Sequence, residues 1–556
     1  MRVLIPGLNR HNVAGELLAG VTLVAIAIPL NIGYAQIAGL PASAGLYALV
    51  VPALVWALLA SSRQLVVSSD AASASLVASS LGGLAVAGSQ SYAVMALAQA
   101  VICGVVFLLM AVFRLGFLAT FLSKPILIGF VGGLSLDILV SQVAKALGVH
   151  VDSGAEFTAK VVALATGLAD ANPWSMLIAV SAAAILLIGQ RLARAVPWAL
   201  VVMVAATSAV ALTHADAAGV QVLGAVPAGP PDLTWPVLDA AQWLVLVPSA
   251  LALAMVASAE GLLVSRSYGE KHQYATRPNR DLFAFGVANI AAGASGSFAL
   301  GASTSRTAAM DRAGSRTQLP SLVLAGGTLL LLLFGTDLLA EIPAPAIGAI
   351  VGVAILPLLG FRELRRLWRL SRFEFWIAVV CFVVTLTVGS IAGIVVAFVL
   401  ALINLARRAA TPTIDVLADD GNPAHALVEG TTAGQTTAAG TIIIRMAAPL
   451  FFANGAVFTQ AVKSAITDAG GPDDVHRLVV DMEAVTDVDV TGADEFDGLR
   501  TWLAAARIEL EFSRVRSNAR ARLARFGVVR AGDTVFSTNR AAASASLASS
   551  EGTRPC

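Results

Sequence analysis

Long apolar runs dominate residues 1–410 and alternate with short polar connections. A helix that crosses a bilayer needs about 20 apolar residues, and an uncharged run of that length is typical of a membrane span. We predict full spans at residues 17–38, 46–60, 93–113, 116–141, 173–190, 197–213, 243–265, 281–296, 319–335, 344–359, 373–388 and 389–405. Residues 1–410 are therefore predicted to form a polytopic α-helical membrane domain.

Two further apolar stretches are too short to cross a membrane and are rich in serine. One begins at Ser68 (SSDAASASLVASSLGGLAV) and the other at Gly301 (GASTSRTAAM). We interpret them as half-helices, each third in order within its half of the domain, which gives 14 segments arranged as a 7+7 inverted repeat. Broken helices at corresponding positions of two repeats are the best sequence indication of a transporter's central site.

The positions of Lys and Arg indicate which connections face the cytoplasm, because short cytoplasmic loops are enriched in both residues. With a cytoplasmic N-terminus, every second connection should be basic. These connections contain Arg63, Arg114, Lys124, Arg191, Arg194, Arg266, Lys271, Arg277, Arg280, Arg312, Arg316, Arg362, Arg365, Arg366, Arg369, Arg372, Arg407 and Arg408. The opposite loops are poorer, and residues 150–173 contain one lysine, Lys160. We predict a multi-pass protein of the cell inner (plasma) membrane with both termini in the cytoplasm.

The composition changes after Arg408. A polar, Gly/Thr-rich stretch, residues 411–440, is predicted to be a linker outside the bilayer. From Thr441 onward, strand-like and helix-like patterns alternate through residues 441–540, which predicts a small cytoplasmic α/β domain. The closing residues 541–556 have low complexity and are predicted to be a disordered tail.

Composition narrows the classes of function. Hydrophobic residues make up 57% of the chain and charged residues 13%, whereas an ordinary soluble domain has about 25% charged residues. The net charge of +1 provides no basic face for nucleic acid. Three cysteines and six scattered histidines give neither a disulfide framework nor metal-ligand spacing, so we expect no metal and no cofactor. The acidic residues of the soluble domain lack a partnered nucleophile or base, so we do not expect an enzyme.

Four motifs follow one another in order along the chain. They are IPLNIGYAQIAGLPASAGLYA from Ile28, SSRQLVVSSDAASASL from Ser61, SFALGASTSRTAAMDRAGSRTQL from Ser297, and the pair APLFFANGAVF and VVDMEAVTDVDVTGADEF in the soluble domain. Over most of its length the chain resembles the SulP family of anion permeases, which join a fourteen-segment membrane domain to a C-terminal STAS domain. One departure is Asp70, which stands where many members carry Glu.

The resemblance implies a uracil-permease-like architecture and a homodimer. In this architecture a core containing segments one, three, eight and ten moves relative to a gate formed by the other segments. The substrate is expected between the half-helices of segments three and ten, and segments one and eight complete the pocket. Sodium-dependent bicarbonate relatives carry Asp at the position of Glu260 and a hydroxyl residue one turn later. This chain has Val264 at the later position, which argues against sodium coupling.

The chemistry of helix ends supports the same location for an anion. Each helix N-terminus carries about half a positive charge and up to four free backbone N–H groups, and two facing termini suit a small anion. We therefore predict substrate contacts from Ser69, Ala71, Ala72, Ser73, Ser303, Thr304, Ser305, Arg306, Tyr34 and Gln36. Close packing is the alternative role for the small residues, and interhelical hydrogen bonding is the alternative for Tyr34 and Gln36.

Three charged residues near these half-helices need separate interpretation. Asp70 would repel an anion and is interpreted as a helix N-cap. Arg306 either lies deep and raises the local potential or reaches the cytoplasmic face. Glu260 lies in the eighth segment, about 9 Å of helix rise before Arg266, and therefore within the hydrocarbon layer. We predict that Glu260 binds a proton as the coupling ion, and the alternative is that it pairs with Arg306 or caps a neighbouring helix.

These features predict a secondary active transporter of small anions of the sulphate, bicarbonate or C4-dicarboxylate class. It is expected to work by proton-coupled symport or anion exchange with alternating access. An anion channel, or a membrane signalling receptor with the STAS domain as its output, is the alternative. A nucleobase symporter of the same fold is disfavoured by the Ser-Arg pair of the tenth segment and by the STAS domain.

The STAS domain is expected to be regulatory and to bind a regulatory protein. Its loop Asp489-Val490-Thr491-Gly492 corresponds to a loop that is phosphorylated in other STAS domains, and Thr491 is the hydroxyl that it retains. Thr491 is therefore the candidate regulatory residue, and capping of the following helix is its alternative role.

Overall fold

The computed structural model describes residues 5–116, 124–152, 154–193, 196–419, 425–430 and 434–551. The chain divides into two compact units, residues 1–401 and residues 402–556. The first unit is the helical membrane domain and the second contains the sheet of the soluble domain.

The helices of the membrane domain form two consecutive series. The first series is α1 (Val13–Ile37), α2 (Ala42–Tyr47), α3 (Val51–Leu59), α4 (Ala71–Leu81), α5 (Gln90–Val112), α6 (Lys124–Leu147), α7 (Phe157–Gly167), α8 (Pro173–Leu192) and α9 (Trp198–Thr213). The second series is α10 (Ala240–Lys271), α11 (Pro278–Ala294), α12 (Thr304–Arg312), α13 (Leu319–Phe334), α14 (Asp337–Ala340), α15 (Ala344–Ile355), α16 (Phe361–Leu370), α17 (Arg372–Thr387) and α18 (Ser390–Ala410).

These helices confirm the predicted fourteen segments, with α2 and α3 forming the second segment and the half-helices α4 and α12 forming the third and tenth. Among the described residues, eight helical stretches are long and apolar enough to cross a membrane. The fifth segment, predicted at 116–141, is helical from Lys124 to Leu147, and residues 117–123 lie outside the described residues. The connecting helices α7, α14 and α16 were not predicted, because their apolar residues do not form a run long enough for a span.

The predicted outer connection 150–173 contains a helix and a buried ion pair. Lys160 of that connection lies in α7, where its side chain is 5% exposed and pairs with Asp137 of α6 at 2.8 Å. A lysine can be buried in this way because the carboxylate compensates its charge.

A pair of very short strands joins the two half-helices. β1 (Val67–Ser68) precedes α4, and β2 (Gly301–Ala302) precedes α12. The strands pair antiparallel, with Val67 opposite Ala302 and Ser68 opposite Gly301. Because the backbone groups within the bilayer must be hydrogen-bonded, this pairing allows two helices to begin in the middle of the membrane domain.

The remaining segments pack into two groups. In the core group, α1 packs against α13, α5 packs against α10 and α11, and α3 packs against α11 and α13. In the gate group, α6 packs against α8, α15 and α17, and α8 packs against α9. The expectation that every segment other than one, three, eight and ten belongs to the gate is therefore wrong, because segments two, four, nine and eleven (α2 and α3, α5, α11, α13) pack with the core.

Aromatic stacking and close backbone contact explain this grouping. Phe285 of α11 lies 4.6 Å from Trp56 of α3 and 5.1 Å from Phe107 of α5, measured between ring centroids. Gly104 of α5 and Gly286 of α11 let the two backbones approach closely, since a Cβ atom on Gly104 would lie 2.7 Å from the carbonyl oxygen of Gly286. Small residues at such contacts are typical of helix packing in membranes.

The soluble unit is a six-stranded sheet with helices on both faces. Its strands are β3 (Ile414–Ala418), β4 (Val428–Glu429), β5 (Thr441–Met446), β6 (Arg477–Asp481), β7 (Glu509–Ser513) and β8 (Val535–Phe536), in the spatial order β4-β3-β5-β6-β7-β8. Strands β5 to β8 are parallel, and β3 pairs antiparallel with β4 and β5. The helices are α19 (Gly455–Asp468), α20 (Val490–Ala505), α21 (Ser517–Arg525) and α22 (Asn539–Glu551).

The alternation of buried residues along β5 explains why both faces of the sheet are covered. Ile442 and Ile444 are buried in the main core, which contains residues of α19, α20 and α21, whereas Ile443 is buried in a second cluster on the other face. Ala542 and Ala543 of α22 belong to that second cluster.

Two predicted boundaries of the soluble domain are wrong. The predicted linker 411–440 contains β3 and β4, whose apolar residues complete the sheet. The predicted disordered tail 541–556 is helical as far as Glu551, and residues 552–556 lie outside the described residues. Alanine is the best helix former, and the alanines of α22 are held by burial against the sheet rather than by a long amphipathic pattern.

Candidate functional site

A cavity of about 60 Å³ lies where the two half-helices begin. Core elements and gate elements both line it. The core contributes Tyr34 of α1, Glu260 of α10, and the residues that begin the half-helices: Asp70, Ala71, Ala72, Ala302, Ser303, Thr304 and Ser305. The gate contributes Val131, Leu134, Ser135 and Ile138 of α6, Ala354 of α15, and Leu358.

The N-terminus of α12 presents free donors to this cavity. Ser303 is the N-cap, and its hydroxyl accepts a hydrogen bond from the backbone N–H of Arg306. The next two residues, Thr304 and Ser305, are exposed, and both line the cavity. Their backbone N–H groups have no acceptor within the helix, because the first turn of an α-helix has none. This end of α12 therefore has the donors and the partial positive charge that an anion needs.

The N-terminus of α4 differs because a carboxylate already occupies it. Asp70 is the N-cap, and its Oδ1 accepts a hydrogen bond from the N–H of Ser73 at 2.8 Å. The Ser73 hydroxyl in turn accepts a bond from the N–H of Asp70 at 3.0 Å, which completes a capping box. The interpretation of Asp70 as an N-cap is confirmed. The two half-helices are consequently unequal, and α12 offers the freer N-terminus.

Arg306 lies behind the cavity and connects the starts of the two half-helices. The side chain is fully buried, so the alternative in which it reaches the cytoplasmic face is wrong. Its Nε donates to the Ser303 hydroxyl at 2.7 Å, and one terminal nitrogen donates to the carbonyl oxygen of Ser69 at 2.7 Å. The other terminal nitrogen is buried and has no hydrogen-bond partner in the part of the chain that the structure describes. The guanidinium also lies 5.8 Å from the centre of the Tyr34 ring, within reach of a cation–π contact.

Glu260 lies on α10 opposite the first residue of α12. Its Oε1 accepts a hydrogen bond from the Thr304 hydroxyl at 2.8 Å. Within the part of the chain that the structure describes, no ion pair joins Glu260 to Arg306, which uses its hydrogen bonds on Ser303 and Ser69. The alternative of a Glu260–Arg306 pair is therefore wrong for this conformation.

The ionisable groups at the cavity are of mixed sign. Asp70 and Glu260 line it, and Arg306 lies directly behind Ser303. In the described ranges, no three His, Cys, Asp or Glu residues are grouped closely enough to hold a metal ion. The charges at this cavity among the described residues are therefore the partial charges of the two helix N-termini, one guanidinium and two carboxyl groups.

The ten predicted substrate residues divide into two sets. Six of them line the cavity: Tyr34, Ala71, Ala72, Ser303, Thr304 and Ser305. The other four do not line it: Ser69, Ser73, Arg306 and Gln36. Ser69, Ser73 and Arg306 hold the half-helices in position through the bonds described above, whereas Gln36 is directed to another part of the membrane domain. Its Oε1 accepts a hydrogen bond from Nζ of Lys145 at 2.9 Å.

The sequence interpretation missed the gate residues of the cavity. Ser135 is a polar residue within the apolar stretch GFVGGLSL of α6, and this was the available signal. The apolar lining residues Val131, Leu134 and Ala354 carry no such signal, because nothing in a membrane helix distinguishes an apolar residue facing a cavity from one facing lipid.

Thr491 lies in the first turn of α20 of the soluble unit and is exposed. The cap of this helix is Asp489, whose Oδ1 accepts a hydrogen bond from the N–H of Gly492 at 2.7 Å. The alternative in which Thr491 caps the helix is therefore wrong, and its hydroxyl is left accessible.

Sequence comparison identifies two families along the chain. Residues 13–381 match the sulfate permease family, and residues 435–542 match the STAS domain. A relative named "Probable sulfate transporter" from Mycobacterium tuberculosis (strain CDC 1551 / Oshkosh) is 34% identical over 514 residues, covering 92% of this chain and 91% of the relative. Sulfate transporter 3.1 of Arabidopsis thaliana is 26% identical over 512 residues, covering 88% of this chain and 77% of the plant protein.

Solved structures share the fold. The murine Solute Carrier 26 family member A9 anion transporter, in the inward-facing state, superimposes with a TM-score of 0.87 at 22% identity, covering 97% of this chain and 92% of the mouse protein. The transmembrane domain of the cyanobacterial bicarbonate transporter BicA superimposes with a TM-score of 0.64 at 23% identity, covering 70% of this chain and all of that domain.

Proposed function

The chain belongs to the sulfate permease family, and on this premise we propose that it is a secondary active carrier of small anions that couples transport to protons through Glu260. Sulfate is the proposed first substrate, because relatives covering most of the chain are named as sulfate transporters. The chain is a multi-pass membrane protein that ends in a STAS domain. The proposal assigns it to the plasma membrane with both termini in the cytoplasm.

The observation that carries the proposal is the free N-terminus of α12 at the central cavity. The backbone N–H groups of Thr304 and Ser305 provide donors for an oxyanion, and the buried Arg306 provides positive charge behind them. An anion that leaves water for the membrane interior needs such donors, because its lost hydration must be replaced. A fixed guanidinium and a helix end supply them without placing a mobile cation in the cavity.

Proton coupling follows from the charges around this cavity. When both carboxyl groups are ionised, Asp70 and Glu260 outweigh Arg306, and the site carries one net negative charge. That charge opposes the binding of an anion. Asp70 is committed to the cap of α4, whereas Glu260 has one described bond, from a hydroxyl that can also accept. Glu260 is therefore the carboxyl proposed to take up the proton, which makes the cavity neutral before the anion binds.

The position of the cavity supports alternating access. Its lining comes from the core group through α4, α10 and α12 and from the gate group through α6 and α15. Movement of one group against the other would therefore change access to the site while leaving the two half-helices joined to each other. We include a homodimer and a regulatory STAS domain in the proposal, with Thr491 as its candidate modification site.

The test is uptake of radiolabelled sulfate by a Glu260→Gln variant across a range of external pH. Wild-type uptake should rise as the pH falls, by up to about tenfold per pH unit where a single proton limits the rate. The amide of the variant cannot be protonated, so its uptake should be independent of pH. Glu270→Gln is the matched control, because Glu270 lies on the same helix but is exposed and pairs with Arg266. An E260Q variant that keeps the wild-type pH dependence would exclude the proposed coupling role.

A further inference from the structure

A polar stripe continues along α6 beyond the central cavity. Ser135 lines the central cavity, and Ser141, Gln142 and Lys145 line a second, much smaller cavity further along the same helix. The spacing of three or four residues between Ile138, Gln142 and Lys145 places them on one face of α6.

Ser75, one turn beyond Ala71 and Ala72 on the half-helix α4, lines the second cavity from the other side. The two cavities therefore follow one another along the boundary between core and gate.

Lys145 forms no salt bridge with the described residues, although the carboxylate of Asp137 lines the same cavity. Its Nζ donates to the amide oxygen of Gln36 at 2.9 Å, and no carboxylate lies within salt-bridge distance of it in the described part of the chain. Lys160, which lines the same cavity, is different because it donates to both carboxylate oxygens of Asp137 at 3.0 and 2.8 Å. A partly buried ammonium group with only a neutral partner is costly in a membrane domain, where charges usually pair.

Gln142 is a second incomplete group at this position. It is 2% exposed, and neither polar atom of its buried side-chain amide has a hydrogen-bond partner among the described residues. Buried amides are normally hydrogen-bonded, so an unpartnered amide that lines a cavity indicates that a partner is missing. Two donors at this cavity suit an oxyanion, the ammonium of Lys145 and the amide N–H groups of Gln142, whereas the equally unpartnered amide oxygen of Gln142 needs a donor such as water.

We propose that Lys145, Gln142 and Ser141 of α6, with Ser75 of α4, form a second anion site on the transport pathway. The site takes the transported oxyanion between the half-helix cavity and one face of the membrane, and in this respect it rests on the proposed carrier function. Lys145 lies in the last turn of α6, and Gln36 lies in the last turn of α1, which begins at Val13. The face concerned is therefore the one opposite the start of α1.

In the present conformation the site is closed around Lys145. Its cavity of about 10 Å³ has room for about one water molecule and not for an oxyanion. The amide oxygen of Gln36 occupies the position next to the ammonium group that the anion would take. Because Gln36 belongs to the core and Lys145 to the gate, separation of the two groups would break this bond and release the ammonium group to the anion.

The experiment measures sulfate transport in proteoliposomes whose sidedness is set by protease removal of a C-terminal tag. For sulfate applied at the face opposite the start of α1, Lys145→Gln should raise KM about tenfold or more, because a charge-assisted hydrogen bond is lost. Lys145→Arg keeps the charge, and its KM should stay within about threefold of the wild-type KM.

Gln142→Leu should raise the same KM several-fold without loss of folding, since the amide has no partner among the described residues in this conformation. Lys124→Gln is the matched control, because Lys124 lies at the other end of α6 and lines a different cavity.

A purely structural lysine at the end of α6 would give a different result. K145Q would then lower the melting temperature or the maximal rate and leave KM unchanged, and this outcome overturns the proposal. Sulfate-dependent thermal stabilisation of the purified protein separates the second site from the carrier function. If wild-type protein does not transport sulfate but K145Q still shifts the sulfate concentration needed for stabilisation, the second site holds and the carrier function fails. If wild type transports sulfate and K145Q matches it in both KM and stabilisation, the second site is wrong.

Discussion

At the scale of single residues, Arg306 joins the starts of the two half-helices. It bonds the hydroxyl that caps α12 and a carbonyl oxygen at the start of α4, so one guanidinium fixes both half-helix starts. This bonding needs several N–H donors that point in different directions within one rigid plane, and the guanidinium of arginine has them whereas the single ammonium of lysine does not. Arg306 therefore positions the site in addition to supplying its charge.

We predict that Arg306→Lys lowers the initial rate of sulfate uptake by at least about tenfold, since a single ammonium group replaces two charge-assisted bonds with different directions. Uptake is measured per amount of protein in the membrane. The control is Arg312→Lys at the end of the same helix, where the exposed side chain donates to the Ala308 carbonyl. The uptake rate of this variant should stay within about twofold of wild type. Wild-type rates in R306K would contradict the positioning role.

The sequence predicts the role of a residue most reliably where that role depends on interactions within a single helix. Asp70 was identified as an N-cap because capping is a local interaction between a side chain and the next turn. Gln36 was predicted either to contact substrate or to form an interhelical hydrogen bond, and in this conformation its amide oxygen accepts a bond from Lys145. The direction of a polar side chain in a membrane helix is decided by its neighbours from distant parts of the chain, and these are not apparent from the local sequence.

At the scale of elements, the antiparallel pairing of β1 with β2 connects the starts of the two half-helices. Gly301 of β2 packs directly against the carboxylate of Asp70, and a Cβ atom at this position would lie 2.2 Å from Oδ2. The carboxylate cannot move away without losing its bond to the N–H of Ser73. Glycine is therefore required at this position by the contact between β2 and the cap of α4.

We predict that Gly301→Ala destabilises the membrane domain by about 0.5–2 kcal/mol, the typical value of a lost N-cap. Sulfate uptake should fall with it, because the start of α4 is displaced at the cavity. Gly326→Ala is the control, since Gly326 lies in α13 with nothing within 4 Å of an added Cβ atom. Thermal unfolding and uptake are measured for both variants, and a G301A protein that matches G326A in both would show that the contact is unimportant.

The helices of the soluble unit were predicted well because most of them are amphipathic. The alternation of strands and helices predicted for residues 441–540 corresponds to β5, α19, β6, α20, β7 and α21. The helix α22 was not predicted, since its Ala- and Ser-rich sequence is typical of a disordered tail until the sheet provides a surface for it.

At the scale of the whole molecule, the central cavity lies between two separately packed groups of helices. This arrangement is expected of a carrier, in which the groups move relative to each other, and not of a permanently open pore. The cavity of about 60 Å³ is lined by residues of both groups. A change in the distance between the two groups would therefore change the shape of the cavity.

Reconstitution in liposomes should therefore give sulfate uptake that saturates with concentration and increases with an inward proton gradient. Uptake and membrane current are measured on the same preparation, and protein-free liposomes are the control. Large ohmic currents would instead indicate a channel. Absence of any flux would indicate a receptor that signals through its STAS domain.

The sequence by itself determined the number and order of the membrane segments, the two broken helices and the α/β character of the soluble unit. These features follow from local rules, because a backbone in lipid must form helices and because apolar periodicity distinguishes helices from strands. Only the tertiary structure decided the grouping into core and gate, the bonds of Arg306 to both half-helices, and the pairing of Lys145 with Gln36. These features depend on contacts between residues far apart in the chain, and a local pattern carries no information about which distant side chain completes a hydrogen bond.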